Sequence, residues 1–388
     1  MRKMTILIIL LLIIIAVLAY DLWEEFLVWL GRIKVGQLPE EEWQSKTKNV
    51  LLRWIEKGAP EVLLNENGNM KFIRKINNYG KITSVMYWQD ASLLKGANHT
   101  AEDVGSEVTA MAARYIPGNG GEWRVLPKRI DAAMLCYELL SSRYTDAQKI
   151  KPSMDYVAGM LGSMAEKHGT IPYNESVPEY RFVDAVGMTC PFLIKYALTY
   201  NEEKYIDLAM KQIKEYYEHG VNKDFGIPYH CFKENTFEPL GVCGWGRGCA
   251  WWALGLTDSL KTLLETDGYN KEKAVLLRYL IEILDAVKKY IKEDGTVERM
   301  LFNSSLQDSS ACAMLAYCYA YMTELLKNEE YKVLAVKMRE KLRSVTRRNG
   351  IVDFSQGDTH GIGFYSEKLC VVPAAQGFTV ALNEMLGK

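Results

Sequence analysis

The lengths of the connections constrain this chain most. Apolar residues recur at three- and four-residue spacing over about twelve segments, roughly 42–57, 84–96, 103–115, 129–144, 148–167, 182–199, 202–219, 247–265, 271–292, 308–325, 329–344 and 373–386. That is the helical period. Ile130, Met134 and Tyr137 line one face with Ala133 and Leu140, and Leu254, Leu256, Leu260, Leu263 and Leu264 form another apolar set. Short links at about 145–147, 200–201, 266–270 and 326–328 alternate with long ones at about 116–128, 168–181, 220–246, 293–307 and 345–372. Antiparallel helices joined in this way place the short turns at one end and the long loops at the other. Six such hairpins closing into a ring give an all-α (α/α)6 toroid over residues 42–388, with an open helical solenoid as the alternative. No strict sequence repeat accompanies the architectural one. Alternating strand patterns are lacking, although Thr170–Tyr173 has the character of an extended piece.

The N-terminus is a separate matter. Met4 to Tyr20 is almost purely aliphatic, preceded by Arg2 and Lys3 and followed by Asp21, Glu24 and Glu25. About 17 apolar residues are at the short end for a membrane span. Positive charge before the run and none after it places the N-terminus inside and the domain outside, with Trp23 and Trp29 suited to the far interface. A cleaved signal peptide is the rival, because Val17 and Ala19 fit the small-residue cleavage rule. The length of the apolar run and the lack of a polar stretch before that site favour a single-pass anchor over residues 1–20, with secretion as the alternative. Residues 21–41 read as an amphipathic and polar connector.

Composition narrows the function. Lys+Arg 47 against Asp+Glu 48 leaves a net charge of −1. Such a chain has no basic surplus with which to release counterions from a phosphate backbone, so a nucleic-acid partner is disfavoured. The 23 Tyr and 9 Trp provide many amphipathic rings of the kind that stack on sugars. The eight cysteines, with no CxxC and no Cys/His pair at zinc spacing, read as mostly buried thiols. Cys243 and Cys249, which flank a glycine-rich turn, are the first pair to test for a disulfide. No Walker A, dinucleotide fingerprint or HExxH is present, and no cofactor or metal is expected.

The long-loop end concentrates unusual residues. Asp131 and Asp184 each open a helix after a long loop, as does Asp308 with Ser309 and Ser310. An Asp at a helix start is ordinarily a cap or a dipole partner. His230 lies within GIPYHCF, and Trp245-Gly246-Arg247-Gly248 leads into Cys249-Ala250-Trp251-Trp252. Tyr180, Arg181, Gln356, His360 and Tyr365 belong to the same end. Three glycines within five residues allow close backbone approach, Trp245 offers a flat face, and Arg247 a planar fork for a carboxylate.

In order and spacing, IDAAMLCYELL, VDAVGMTCPFL, GIPYHCF, WGRGCAWW and DSSACAMLAYCYAY resemble the unsaturated glucuronyl and unsaturated rhamnogalacturonyl hydrolases, glycoside hydrolase families 88 and 105. The resemblance spans about residues 80–388. It implies a hydrolase that takes oligosaccharides ending in a 4-deoxy uronic acid with a C4=C5 double bond. It also implies Asp184 as general acid/base, Asp131 as second active-site carboxylate, and His230, Trp245, Arg247 and Trp251 as substrate-binding residues. Cys249-Ala250 stands where those enzymes carry Asn-Gly, a departure that bears on the shape of the sugar subsite. The implied reaction is hydration of a vinyl ether, with Asp184 kept protonated by aromatic walls and by repulsion from Asp131. Two other readings compete: an inverting glycosidase using Asp131 and Asp184 on saturated oligosaccharides, and a membrane-tethered carbohydrate-binding protein without turnover.

Overall fold

The computed structural model describes residues 2–60, 86–118, 120–303, 306–359 and 361–387. After an N-terminal helix, α1 (Arg2–Arg32), the described helices alternate between two layers. The outer layer holds α2 (Glu40–Lys57), α4 (Gly105–Tyr115), α6 (Lys151–His168), α8 (Lys204–Gly220), α10 (Asn270–Lys288) and α12 (Glu329–Ser344). The inner layer holds α3 (Tyr87–His99), α5 (Ala132–Ser141), α7 (Val183–Tyr200), α9 (Gly246–Leu264), α11 (Ser309–Leu326) and α13 (Pro373–Leu386). Each inner helix packs on the next, and α13 packs back on α3. The ring therefore closes as an (α/α)6 toroid, which an open solenoid would not do.

Sequence separates the two layers. Helix α9 is buried around its whole circumference and along nearly all its length, its few polar residues such as Arg247 and Asp258 included, as a central stave must be. Helix α8 buries one stripe, including Tyr205, Ala209, Ile213 and Tyr216, and turns its Lys and Glu residues outward. Local signals set the ends. Asn328 caps α12 by accepting from the backbone N–H of Glu330 and Tyr331 at 2.9 and 3.2 Å. Asn201 ends α7 in the left-handed region at φ 59°. Close approach also matters: Gly255 of α9 faces Gly187 of α7 so tightly that an added Cβ would lie 3.0 Å from the Gly187 Cα. That contact lets the N-terminal ends of α7 and α9 share one cavity.

Among the described residues the long connections lead into the N-termini of inner helices, so they gather at one end of the ring. They carry the β-structure that sequence periodicity missed, because two- and three-residue strands are too short to show a period. Strands β1 (Tyr180–Phe182), β4 (Cys231–Lys233) and β5 (Glu238–Leu240) make an antiparallel sheet in the order β1-β4-β5. Strands β2 (Val221–Asn222) and β3 (Ile227–Pro228) form one ribbon, β6 (Ser355–Gln356) and β7 (Leu369–Cys370) another. Thr170–Tyr173 is irregular rather than a strand.

In the half of the ring nearer the short turns, the inner helices are tied by a buried ionic cluster. Lys95 of α3 places Nζ 2.7 Å from Glu138 of α5 and 2.9 Å from Asp258 of α9. The Tyr317 hydroxyl of α11 donates to Asp258 at 3.0 Å. Burial and Asp258 hold the Glu138 carboxyl above its usual range against the pull of Lys95.

Helix α1 runs without a break through the expected connector to Arg32. Lys3–Trp23 is long and apolar enough to cross a membrane, and none of it is buried. Leaving a Leu or Ile side chain in water forfeits about 1.5–3 kcal/mol relative to burying it, so this segment suits a membrane anchor or a signal peptide. The end of α1 engages the body. Arg32 donates to both Asp353 oxygens at 2.9 and 3.0 Å and to the Leu369 carbonyl at 2.7 Å, and its guanidinium sits 4.4 Å over the Phe354 ring.

Candidate active site

A cavity of about 460 Å³ opens among the long connections. It is lined by five of the six residues singled out from the sequence: Asp184, His230, Trp245, Arg247 and Trp251. Strand pairing brings the first two together. Phe182 of β1 pairs with Cys231 of β4, and the Val183 N–H donates to the His230 carbonyl at 3.0 Å. Residues 46 positions apart thus face each other, and His230 Nε2 lies 3.7 Å from Asp184 Oδ2. Arg181 secures the connection from behind: it is buried, donates to Thr170 Oγ1 and the Pro178 carbonyl at 2.6 Å, and pairs with Glu234. Its role is structural, whereas Tyr180 lines the cavity.

Three Asp residues begin inner helices, and only one is a cap. Asp308 accepts from the Ser310 N–H at 2.9 Å, from the Ser310 hydroxyl at 2.6 Å and from the Gln356 N–H at 3.1 Å. Asp184 and Asp131 cap nothing with their side chains. Asp184 Oδ2 is buried without a hydrogen-bond partner. A buried, unsatisfied carboxyl oxygen is costly, and it marks a site in which a bound molecule completes the bonding. Burial pushes the Asp184 carboxyl up to about 7, and Asp358 adds to the rise, while its own backbone N–H and Arg247 pull it down.

His230 has the opposite displacement: burial lowers its imidazole to about 4. It is held in a cluster of rings, 4.7 Å from Trp245, 5.2 Å from Phe182 and 5.3 Å from Tyr365, centroid to centroid. The Tyr365 hydroxyl accepts from the Val242 N–H at 3.0 Å and stands 3.0 Å from His230 Nδ1. In the tautomer with the ring proton on Nε2, facing Asp184, Nδ1 accepts from the Tyr365 hydroxyl.

The tryptophan–arginine turn is rigid. Gly246 passes so near its neighbours that a Cβ there would meet the Glu298 carbonyl at 2.4 Å, and one at Gly248 would meet the Trp245 ring at 2.8 Å. Trp245 Nε1 donates to the Gln356 side chain at 2.8 Å. Arg247 Nη2 donates to the carbonyls of Gln356 and Gly357 at 2.8 and 2.6 Å, and Nε lies 3.7 Å from Asp308. Arg247 makes no bond to His230, so steadying the imidazole falls to Tyr365. Trp251 forms part of the wall, edge-on to Trp88 at 5.4 Å.

Asp131 is placed differently from the expectation. It lines an adjoining cavity of about 390 Å³, with Arg129 Nε 3.3 Å from Oδ1, and burial pushes its carboxyl up to about 6. The two cavities share Tyr173, Asn174, Asp358 and Thr359. The carboxylate that raises Asp184 is therefore Asp358, not Asp131, whose charge is offset by its own arginine. The Cys249-Ala250 departure also falls elsewhere: both side chains are buried, and neither lines the cavity. All eight cysteines, Cys243 and Cys249 included, are free thiols. His360 lies outside the described residues. Among the described residues no three His, Cys, Asp or Glu side chains converge as a metal-ligand set. Sequence reasoning missed Trp88, Tyr173 and Asp358; the Gly357–Gly363 stretch around Asp358, dense in glycine, was the available signal.

The profile of Glycosyl Hydrolase Family 88 matches residues 65–372 of the chain. No curated protein matches it in sequence. Among solved structures it is similar to a possible member of glycoside hydrolase family 105 from Klebsiella pneumoniae, at 18% identity and TM-score 0.73, covering 90% of this chain and 94% of that one. A family 105 glycoside hydrolase from C. acetobutylicum aligns at 17% identity and TM-score 0.67, covering 81% and 97%. An unsaturated glucuronyl hydrolase from Bacillus sp. GL1, responsible for glycosaminoglycan degradation, aligns at 16% identity and TM-score 0.64, covering 88% and 96%. At these identities the structural likeness carries the fold.

Proposed function

From the premise that the chain belongs to Glycosyl Hydrolase Family 88, and is a glycoside hydrolase, we propose that its substrates are oligosaccharides ending in a 4,5-unsaturated uronic acid. The observation that carries this reading is the Asp184 carboxyl, raised to about 7 with an unpartnered buried oxygen facing an aromatic cavity that also holds Arg247.

Asp184 delivers its proton to C4. The new C4–H bond uses the electrons of the double bond, and positive charge develops at C5 and the ring oxygen. The resulting Asp184 carboxylate takes a proton from a water molecule as the water oxygen bonds to C5. The hemiketal opens to a ketone, which frees the C1 hemiacetal to expel the remaining saccharide as an alcohol. One group serves as acid and then as base, for which a value near working pH is the requirement. Arg247 supplies positive charge for the uronate carboxylate. His230, neutral and with Nε2–H toward the site, donates to a substrate or water oxygen beside Asp184. Trp245 and Trp251 give the sugar apolar faces, and Asp131 acts from the adjoining cavity on the rest of the saccharide. The domain, residues 42–388, works outside the membrane on an uncleaved anchor whose N-terminus is inside.

The test is loss of the conjugated unsaturated-uronate absorbance on a panel of lyase-generated disaccharides, with mass spectrometry of the products. Asp184→Asn is expected to lose ~10²–10⁴-fold in turnover while folding normally. Full activity in that variant, or turnover of saturated saccharides alone, overturns the reading.

A further inference from the structure

We propose that the long-loop end of the ring rests against the lipid surface, so that the cleft opens toward the membrane holding α1. The inference rests on α1 being an uncleaved anchor.

Two independent observations support it. The first is where α1 joins the body. Its last turn is bonded through Arg32 to Asp353 and the Leu369 carbonyl, and the Gly36 N–H donates to the Thr346 carbonyl at 2.9 Å. Both ties are to the 345–372 connection, which also supplies Gln356, Gly357 and Tyr365 to the site. The apolar window ends at Trp23, and nine more helical residues reach Arg32 at ~1.5 Å each, or roughly 13 Å. The polar layer on each side of a bilayer is about 5–8 Å deep. The connection that forms the rim of the cleft is therefore tied down within roughly 5–8 Å of that layer.

The second is the character of the face. Among the described residues outside α1, every exposed phenylalanine lies on this end: Phe225, Phe237, Phe302 and Phe364. They come from three separate long connections, and a fourth adds exposed Val125 and Leu126. Phe364 is 72% exposed. Apolar and aromatic side chains presented together on the side nearest the anchor suit the headgroup–acyl boundary. A lipid surface is the occupant the anchor delivers without further assembly.

The test uses the full-length chain in phosphatidylethanolamine–phosphatidylglycerol vesicles carrying a headgroup nitroxide lipid. A dansyl amino acid replaces Phe225, Phe302 or, at the opposite end, Leu326. The chain is expected to stay with the vesicles through alkaline carbonate, and the probes at 225 and 302 to be quenched several-fold more than that at 326. Release by carbonate removes the anchor reading and the orientation with it. Retention with equal quenching at all three positions, or strongest at 326, overturns the orientation alone. So does quenching at 225 and 302 that arises only from a nitroxide on a second copy of the chain.

Discussion

His230 Nε2 faces Asp184 Oδ2 across 3.7 Å, and burial moves the two groups in opposite directions, the imidazole to about 4 and the carboxyl to about 7. Both are therefore neutral over the same pH interval, and they form no ion pair there. Turnover is expected to hold between about pH 5 and pH 7 and to fall above that, as Asp184 loses its proton. A kcat profile across this range checks it. Turnover that instead rose through the ordinary histidine value of about 6.5, as an imidazole lost its proton, would contradict the assignment.

Stability carries the same signature with a definite sign. Asp184 titrates near about 7 in the folded chain and near about 3.9 in an unfolded one. Between those values the folded state holds a proton that the unfolded state has released, so wild-type stability falls as pH rises through the interval. Asp184→Asn removes the titration. Its melting temperature relative to wild type should increase from pH 4 to pH 7 and then level off, a relative gain of roughly 4 kcal/mol by linkage. Denaturation at several pH values measures it, and a constant difference would refute it.

Asp358 raises Asp184 through its charge. Asp358→Asn should therefore move the alkaline limb of turnover to lower pH. Asp131→Asn should leave the limb in place, because Asp131 faces Arg129 in the adjoining cavity. The reverse pattern would restore Asp131 as the controlling carboxylate.

Gly241 holds the imidazole in place by its own lack of a side chain. At φ +76° an added Cβ would lie 2.7 Å from His230 Cβ and 3.0 Å from the Tyr365 hydroxyl. Gly241→Ala should reduce turnover by ~10²-fold, the scale of an ångström-sized displacement. Tyr365→Phe, which leaves the backbone unstrained, should reproduce the direction of the loss. Unchanged turnover in both would mean that the hydroxyl does not orient the ring.

Lys95→Met leaves Glu138 and Asp258 facing each other without their cation. Breaking a buried pair in this way costs ~3–5 kcal/mol at neutral pH, and the deficit should shrink in acid, where the carboxyls take up protons. Adding Glu138→Gln and Asp258→Asn should recover much of the loss. Urea denaturation of the single and triple variants decides.

The ring was legible in the sequence because short and long connections alternate between helical segments. The turn from Trp245 to Gly248 was legible because close-packed glycines beside Trp and Arg have few other uses. Relationships across long separations were not. Asp358 reaches Asp184 only once the 345–372 connection folds over the cavity, and Arg32 meets Asp353 across 321 positions. Nothing in the local pattern of Asp131 distinguishes one cavity from its neighbour. Lys95 shares its helix with Gln89, Asp90 and Asn98, so in sequence it reads as one more polar residue of an ordinary solvent face.

Because α13 seals against α3, the wall made first and the wall made last are neighbours. The barrel therefore lacks a stave until α13 is in place. Until its fourteen residues dock, the ring has an open seam between α3 and α11, which makes α13 the element on which closure of the ring depends.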